Sequence, residues 1–240
     1  MVGRTVLAVT LVAALVGSPQ PVARATGVAS AARAGDCALI AAQHVPGLRG
    51  TPDRVTLALA TGYGRSAVRV THCVRRDIGD RSSYEPAWVR EGQVGRRGFA
   101  RPGAKREGDG RSPSGVFALG PAFGGRDPGA RVPYLRLRPD SCWGSTVGSR
   151  RYNRYFRGRC GPADEAMHRA VRGAYAQGLV VGYNTDPIVQ GRGSAIFVHV
   201  LSGGATSGCV ALPRADMIAL VRVTGPGDAI VMGVRGVVTR

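Results

Sequence analysis

The apolar residues of this chain come in short stretches that alternate with polar ones, and 36 glycines and 15 prolines interrupt them. A chain punctuated so often cannot sustain long helices, and period-two alternation is the mark of strands with one buried face. Val55 to Ala60 is the first such stretch, and Ala67 to Thr71 follows the turn-like Thr61-Gly62-Tyr63-Gly64, which predicts a hairpin. Further strands are predicted at Gly115–Leu119, Val132–Leu137, Leu179–Tyr183, Ala195–Val200 and Asp228–Met232. Two segments have helical signals. Asp164 to Tyr175 carries acids in its first turn and stops near Gly178, and Pro213 to Arg222 has proline near its start with Met217, Leu220 and Val221 on one face. The fold class that follows is a mainly β domain with two short helices. Residues 26–50 read as a loosely ordered lead-in. The polar, Gly-rich stretch 75–113 is too long for a simple connection, so it is functional or contains short strands.

The amino-terminal end indicates export. Met1 to Thr5 contains one charge, Arg4; Val6 to Val16 is apolar or neutral; and Ala23-Arg24-Ala25 places small residues where a signal peptidase needs them. This is the layout of a signal peptide over residues 1–25, and its apolar run is too short for a stable membrane anchor. No later segment approaches the ~18 consecutive apolar residues of a membrane helix. A secreted chain of about 215 residues remains, enough for one sizeable core.

Five cysteines are an odd set for an oxidising compartment. Cys142 and Cys160 bracket a short segment and suit a local disulfide, and Cys37 and Cys73 can pair at the amino-terminal end, although sequence alone permits other pairings among the four. Cys209 is left over, and a lone exported thiol is a liability unless it is used.

The net charge of +18 is carried almost wholly by arginine, since Lys105 is the only lysine. Such a surface attracts polyanions, which outside a bacterium means anionic wall polymers and lipid head groups. The arginines are scattered rather than clustered, which fits the arginine-for-lysine bias of a GC-rich genome. No basic stripe with interleaved aromatics points to nucleic acid.

The chemistry concentrates in Phe197-Val198-His199-Val200, the bend at Ser202-Gly203-Gly204, and Thr206-Ser207-Gly208-Cys209-Val210. A hairpin-like return would bring His199 and Cys209 within hydrogen-bond reach, as a thiol–imidazole nucleophile requires. The imidazole would lower the thiol pKa, and the Gly208 and Cys209 N–H groups would hold the oxyanion formed on attack. There is no Cys-x-x-Cys, no His-x-x-x-His and no phosphate-cradling loop, so neither a metal nor another cofactor is expected.

With His199 upstream, Thr206-Ser207-Gly208-Cys209-Val210-Ala211-Leu212-Pro213 resembles the L,D-transpeptidase family of the YkuD type, in particular its secreted actinobacterial-like branch. Lys105 to Phe117, Tyr183-Asn184 and Gly191 to Phe197 match the same pattern. The resemblance implies a YkuD-like β-sandwich or barrel-like catalytic domain over residues 96–240, preceded at 26–95 by the lead-in and a small accessory β element. It implies a Cys209 nucleophile with His199 as base, no cofactor, and action on peptidoglycan stem peptides in the cell envelope. Members cut after the third residue of a donor stem and pass the acyl group to an amine; water as acceptor would make the site an L,D-carboxypeptidase. Better-known members carry His where this chain has Ser207, and Arg or Asn where it has Ala211. Those departures leave open a wall-binding protein without turnover. Arg192 and Ser194, just before the His199 strand, with Tyr183 and Asn184, are the candidate substrate-binding residues that remain.

Overall fold

A computed structural model describes residues 1–3, 35–42, 44–79 and 81–239. The expected leader falls largely on residues 4–34, outside the described residues. Among those described, no helix is long and apolar enough to cross a membrane.

Eight strands close on themselves. β1 (Arg54–Ala60), β2 (Ala67–Ile78) and β3 (Arg81–Gln93) form an antiparallel meander. β3 meets β11 (Val210–Leu212), which lies parallel to β10 (Phe197–Val200); β9 (Gln177–Val181) and β4 (Gly115–Gly124) follow. β12 (Ala229–Val234) pairs with β4 on one side and β1 on the other, which completes the ring, while β5 (Tyr134–Arg136) extends β4 beyond β12. The strands of residues 54–93 thus share one sheet with those after residue 96.

β1 beyond Arg54 and the whole of β12 are buried, because their alternate residues face two different clusters. Ala58, Ala60, Ile230 and Met232 face the central core with Val68 and Val70 of β2. Into that core α2 (Arg214–Val223) inserts Met217, Leu220 and Val221, the face its sequence predicts. The intervening Val55, Leu57, Leu59 and Val231 face a second cluster containing Ile40 and Val45. The helical residues 35–41, α1, cover this cluster through the Cys37–Cys73 disulfide and the 2.9 Å Asp36–Arg235 ion pair. Arg235 begins the short α3 (Arg235–Val238).

The mainly β, barrel-like expectation holds, with corrections to its elements. The helix predicted over Asp164–Tyr175 does not form. Glu165–Ala166 is instead a two-residue strand, β8, paired with β6 (Ser141–Trp143), whose other neighbour is β7 (Tyr155–Arg157). Two short 3₁₀ turns follow, Met167–Ala170 and Ala174–Ala176. The acid that resembled a helix start is used elsewhere: the Asp164 carboxylate accepts the backbone N–H groups of Ser145 and Gly161, each at 2.9 Å. The Cys142–Cys160 disulfide ties the same region to β6. Three short helices, α1 to α3, therefore stand among the described residues where two were predicted. The 75–113 stretch contains the long β3, and the strand predicted at 132–137 narrows to β5.

Candidate active site

Cys209 and His199 come together through neighbouring parallel strands, on one face of the sheet, with no hydrogen bond between them among the described residues. Val198 pairs with Val210 and His199 with Ala211. One step back along the same register lies Cys209 beside Phe197, whose N–H meets the Cys209 sulfur at 3.4 Å. Alternate residues of a strand share a face, so His199 and Cys209 are diagonal neighbours on one side of the sheet. The predicted hairpin return is corrected. The chain reverses through residues 201–209 to start a parallel strand, β10 having four residues and β11 three.

Both side chains are buried, each 8% exposed, at the floor of a cavity of about 380 Å³. Cys209 is a free thiol. Its Sγ donates to the Ala195 carbonyl at 3.3 Å, and Ala195 is held in the left-handed region (φ 52°) with its N–H on Asn153 Oδ1 at 3.0 Å. His199 Nδ1 lies 3.0 Å from the Val200 carbonyl. A proton on Nδ1 satisfies that carbonyl and leaves Nε2 as the basic nitrogen. Tyr175 packs edge-on against the imidazole at 5.6 Å and donates its hydroxyl to Glu165 at 3.1 Å.

Burial pushes the Cys209 thiol up to about 12; the Phe197 N–H opposes the rise, Glu165 adds to it, and Lys105 draws it back a little. Burial likewise holds the His199 imidazole below its ordinary value, and its Val200 hydrogen bond offsets only part. Both shifts favour the neutral forms, thiol and imidazole, over the thiolate expected from the sequence. The oxyanion expectation changes too. Gly208 N–H donates to Thr206 Oγ1 at 3.1 Å, whereas Cys209 N–H has no acceptor among the described residues.

The remaining predicted residues divide. Ser207 and Ser194 line the cavity, but the Ser194 hydroxyl is engaged with Glu107 at 2.8 Å and Ser145 at 2.9 Å. Arg192, Tyr183 and Asn184 do not line it. The Tyr183 hydroxyl donates to the Arg192 carbonyl at 2.6 Å, and Asn184 Nδ2 bonds the carbonyls of Val189 and Gly193, so these residues brace the loop ahead of β10.

The structure brings to the cavity residues to which the sequence reading assigned no role. Lys105, buried, donates to Asp109 at 2.7 Å beside the cavity. Burial alone would raise the Asp109 carboxyl, but that hydrogen bond and the Arg106 and Arg111 amides hold it below the usual range. Ser112, fully buried, bonds the Gly208 carbonyl. Arg96, Glu107, Glu165 and Tyr175 complete the walls. The one available signal was Lys105, a single lysine where arginine is otherwise universal. Among the described residues no group of three His, Cys, Asp or Glu side chains is placed to hold a metal ion.

Residues 78–232, well over half of the chain, match the L,D-transpeptidase catalytic domain family, YkuD. The chain belongs to that family. The matched span begins at the end of β2 and closes within β12, so it takes in every element that builds the cavity. L,D-transpeptidases act on the peptides of peptidoglycan. No curated protein and no solved structure matches the chain.

Proposed function

We propose that the protein is a cysteine-dependent L,D-transpeptidase acting on wall stem peptides outside the cytoplasmic membrane. The observation that carries this reading is a buried, unpaired thiol sharing one sheet face with an imidazole at the floor of an open cavity. Two disulfides fit an oxidising compartment, as expected for a chain exported by its leader.

A substrate that excludes water brings its carbonyl to Cys209. His199 Nε2 takes the thiol proton as the sulfur attacks, and the developing oxyanion meets the Cys209 N–H. The imidazolium gives the proton to the leaving nitrogen, the amide bond breaks, and a Cys209 thioester remains. An acceptor amine attacks the thioester, His199 takes its proton, and the sulfur leaves and is reprotonated as the new amide forms. Because the resting pair is neutral, the first proton transfer is coupled to attack rather than preceding it. Ser207 and Ala211 leave the chain without the basic donors of better-known members, so water as acceptor, which would make the protein an L,D-carboxypeptidase, is the second reading.

Incubation of a tetrapeptide stem with and without a second stem carrying a free side-chain amine tests both. Transpeptidation gives a cross-linked product together with the released terminal residue. Release alone, even with amine present, assigns the carboxypeptidase, and neither product points to a wall-binding protein without turnover.

A further inference from the structure

We propose that Arg96 holds the terminal carboxylate of the residue released from the donor peptide. This inference rests on the acyl-transfer reading and names the group that fixes the leaving side of the substrate.

Two cations line the cavity. Lys105 is committed, its ammonium bound to Asp109 Oδ1 at 2.7 Å and to the Arg106 carbonyl at 2.5 Å. Arg96 is exposed, and no carboxylate pairs with it among the described residues. Among the described residues its one side-chain hydrogen bond goes from Nη1 to Ser207 Oγ at 3.3 Å. Four of the five guanidinium N–H donors therefore remain for a ligand, in the planar fork that suits a carboxylate.

Its position is fixed from both sides. Arg96 N–H donates to the Thr206 carbonyl at 2.8 Å, and Thr206 N–H to that of Val94 at 2.9 Å, which binds this segment to the loop carrying the nucleophile. The guanidinium lies over Gly110, where a Cβ would stand 3.0 Å from Arg96 Cζ, and Gly110 has a φ of 67°. Glycine at that point leaves both the room and the backbone conformation that the guanidinium needs. Ser207 is two residues from Cys209, at most about 7 Å of chain, and one peptide residue spans about 3.8 Å between Cα atoms. A peptide whose scissile carbonyl sits at the Cys209 sulfur thus brings the carboxylate of its next residue into the range of Arg96. Ala211, where other members carry a basic or amide side chain, offers no competing donor.

The test compares a tetrapeptide stem having a free terminal carboxylate with the same stem as its terminal amide. The wild type is expected to turn over the acid at least about tenfold more efficiently, the scale of one charged hydrogen-bonded pair. In Arg96→Gln the acid should lose about tenfold in kcat/KM relative to the amide, bringing the ratio near one. Equilibrium binding of both peptides to Cys209→Ala, with and without Arg96→Gln, gives the same comparison without turnover. If the wild type cleaves neither peptide, the acyl-transfer reading fails and the binding ratio alone decides on Arg96. An acid-to-amide ratio that Arg96→Gln leaves unaltered, or equal binding of the two peptides to Cys209→Ala, overturns the assignment.

Discussion

Ser112 Oγ lies 2.7 Å from the carbonyl oxygen of Gly208, on the loop that carries Cys209, and also accepts the Gly95 N–H at 3.0 Å. A trans peptide points its C=O and the next N–H in opposite directions. With the Gly208 carbonyl turned toward Ser112, the Cys209 N–H is turned away from it, free to meet a developing oxyanion. Ser112→Ala removes a buried donor and acceptor and should cost about 1–3 kcal/mol of stability. It should also lower kcat by about tenfold with KM little changed, part of the loss that follows removal of an oxyanion donor. Steady-state kinetics beside a denaturant titration check both.

The neutral resting pair predicts how Cys209 reacts without substrate. With its thiol near 12, the thiolate fraction rises about tenfold per pH unit through the neutral and mildly alkaline range. Alkylation by iodoacetamide, followed by intact mass, should be slow at pH 7 and climb steadily to pH 9. A preformed thiolate–imidazolium pair would instead give a fast rate, flat from pH 6 to 8. Stability has the opposite slope: the folded state keeps the proton that the unfolded chain loses above about 9, so this contribution declines as pH rises from 9 toward 12.

His72 gives an acid-side prediction away from the site. It stacks on Trp88 with ring centroids 5.1 Å apart, lies 3.1 Å from Thr56 Oγ1 through Nδ1, and leaves Nε2 buried without a partner among the described residues. Burial, reinforced by the Arg54 charge, lowers its pKa to about 4. The unfolded chain takes up this proton first as pH falls below 6.5, so folding stability should drop by about 3 kcal/mol between pH 6.5 and 4. His199 is shifted in the same direction, and a His72→Phe variant isolates the His72 share. Denaturant unfolding at both pH values should show a shallower acid loss in that variant than in the wild type.

The two disulfides should separate stability from activity. Cys37–Cys73 closes a separation of 36 residues and anchors α1 far from the cavity. Replacing both by serine should cost about 3–4 kcal/mol and leave kcat/KM within about twofold. Cys142–Cys160 holds β6, against which β8 presents Glu165 to the cavity wall. Its loss should raise KM several-fold in addition to destabilising the fold. Kinetics and thermal melts of the two double variants make the comparison.

The sequence revealed most where one residue's surroundings are local. The alternation of Ala67 to Thr71 announced β2, Pro213 announced α2, and the odd cysteine among five announced the free thiol. β3 stayed hidden because Arg-Ser-Ser-Tyr-Glu-Pro-Ala-Trp has no apolar period, and Pro86 sits where the pairing slips between His72 and Cys73. The false helix at 164–175 had helical local preferences, overridden by pairing of Glu165–Ala166 with β6 and by the angular backbone at Gly173. At the site, Arg96 resembled any other scattered arginine, and its importance comes from Thr206 and Gly110, which only the fold brings beside it. Arg192 stood nearer in sequence to His199 yet contributes a carbonyl to Tyr183 rather than a side chain to the cavity.

In the proposed reaction the Cys209 sulfur carries the acyl group between donor and acceptor. Intact-mass spectrometry of the mature protein mixed with a tetrapeptide stem, quenched in acid within the first turnovers, reads it directly. The expected result is a population heavier by the stem minus its terminal residue, mapped to Cys209 and absent in Cys209→Ala. Turnover of the stem by Cys209→Ala, or an adduct mapped to any other residue, would contradict it.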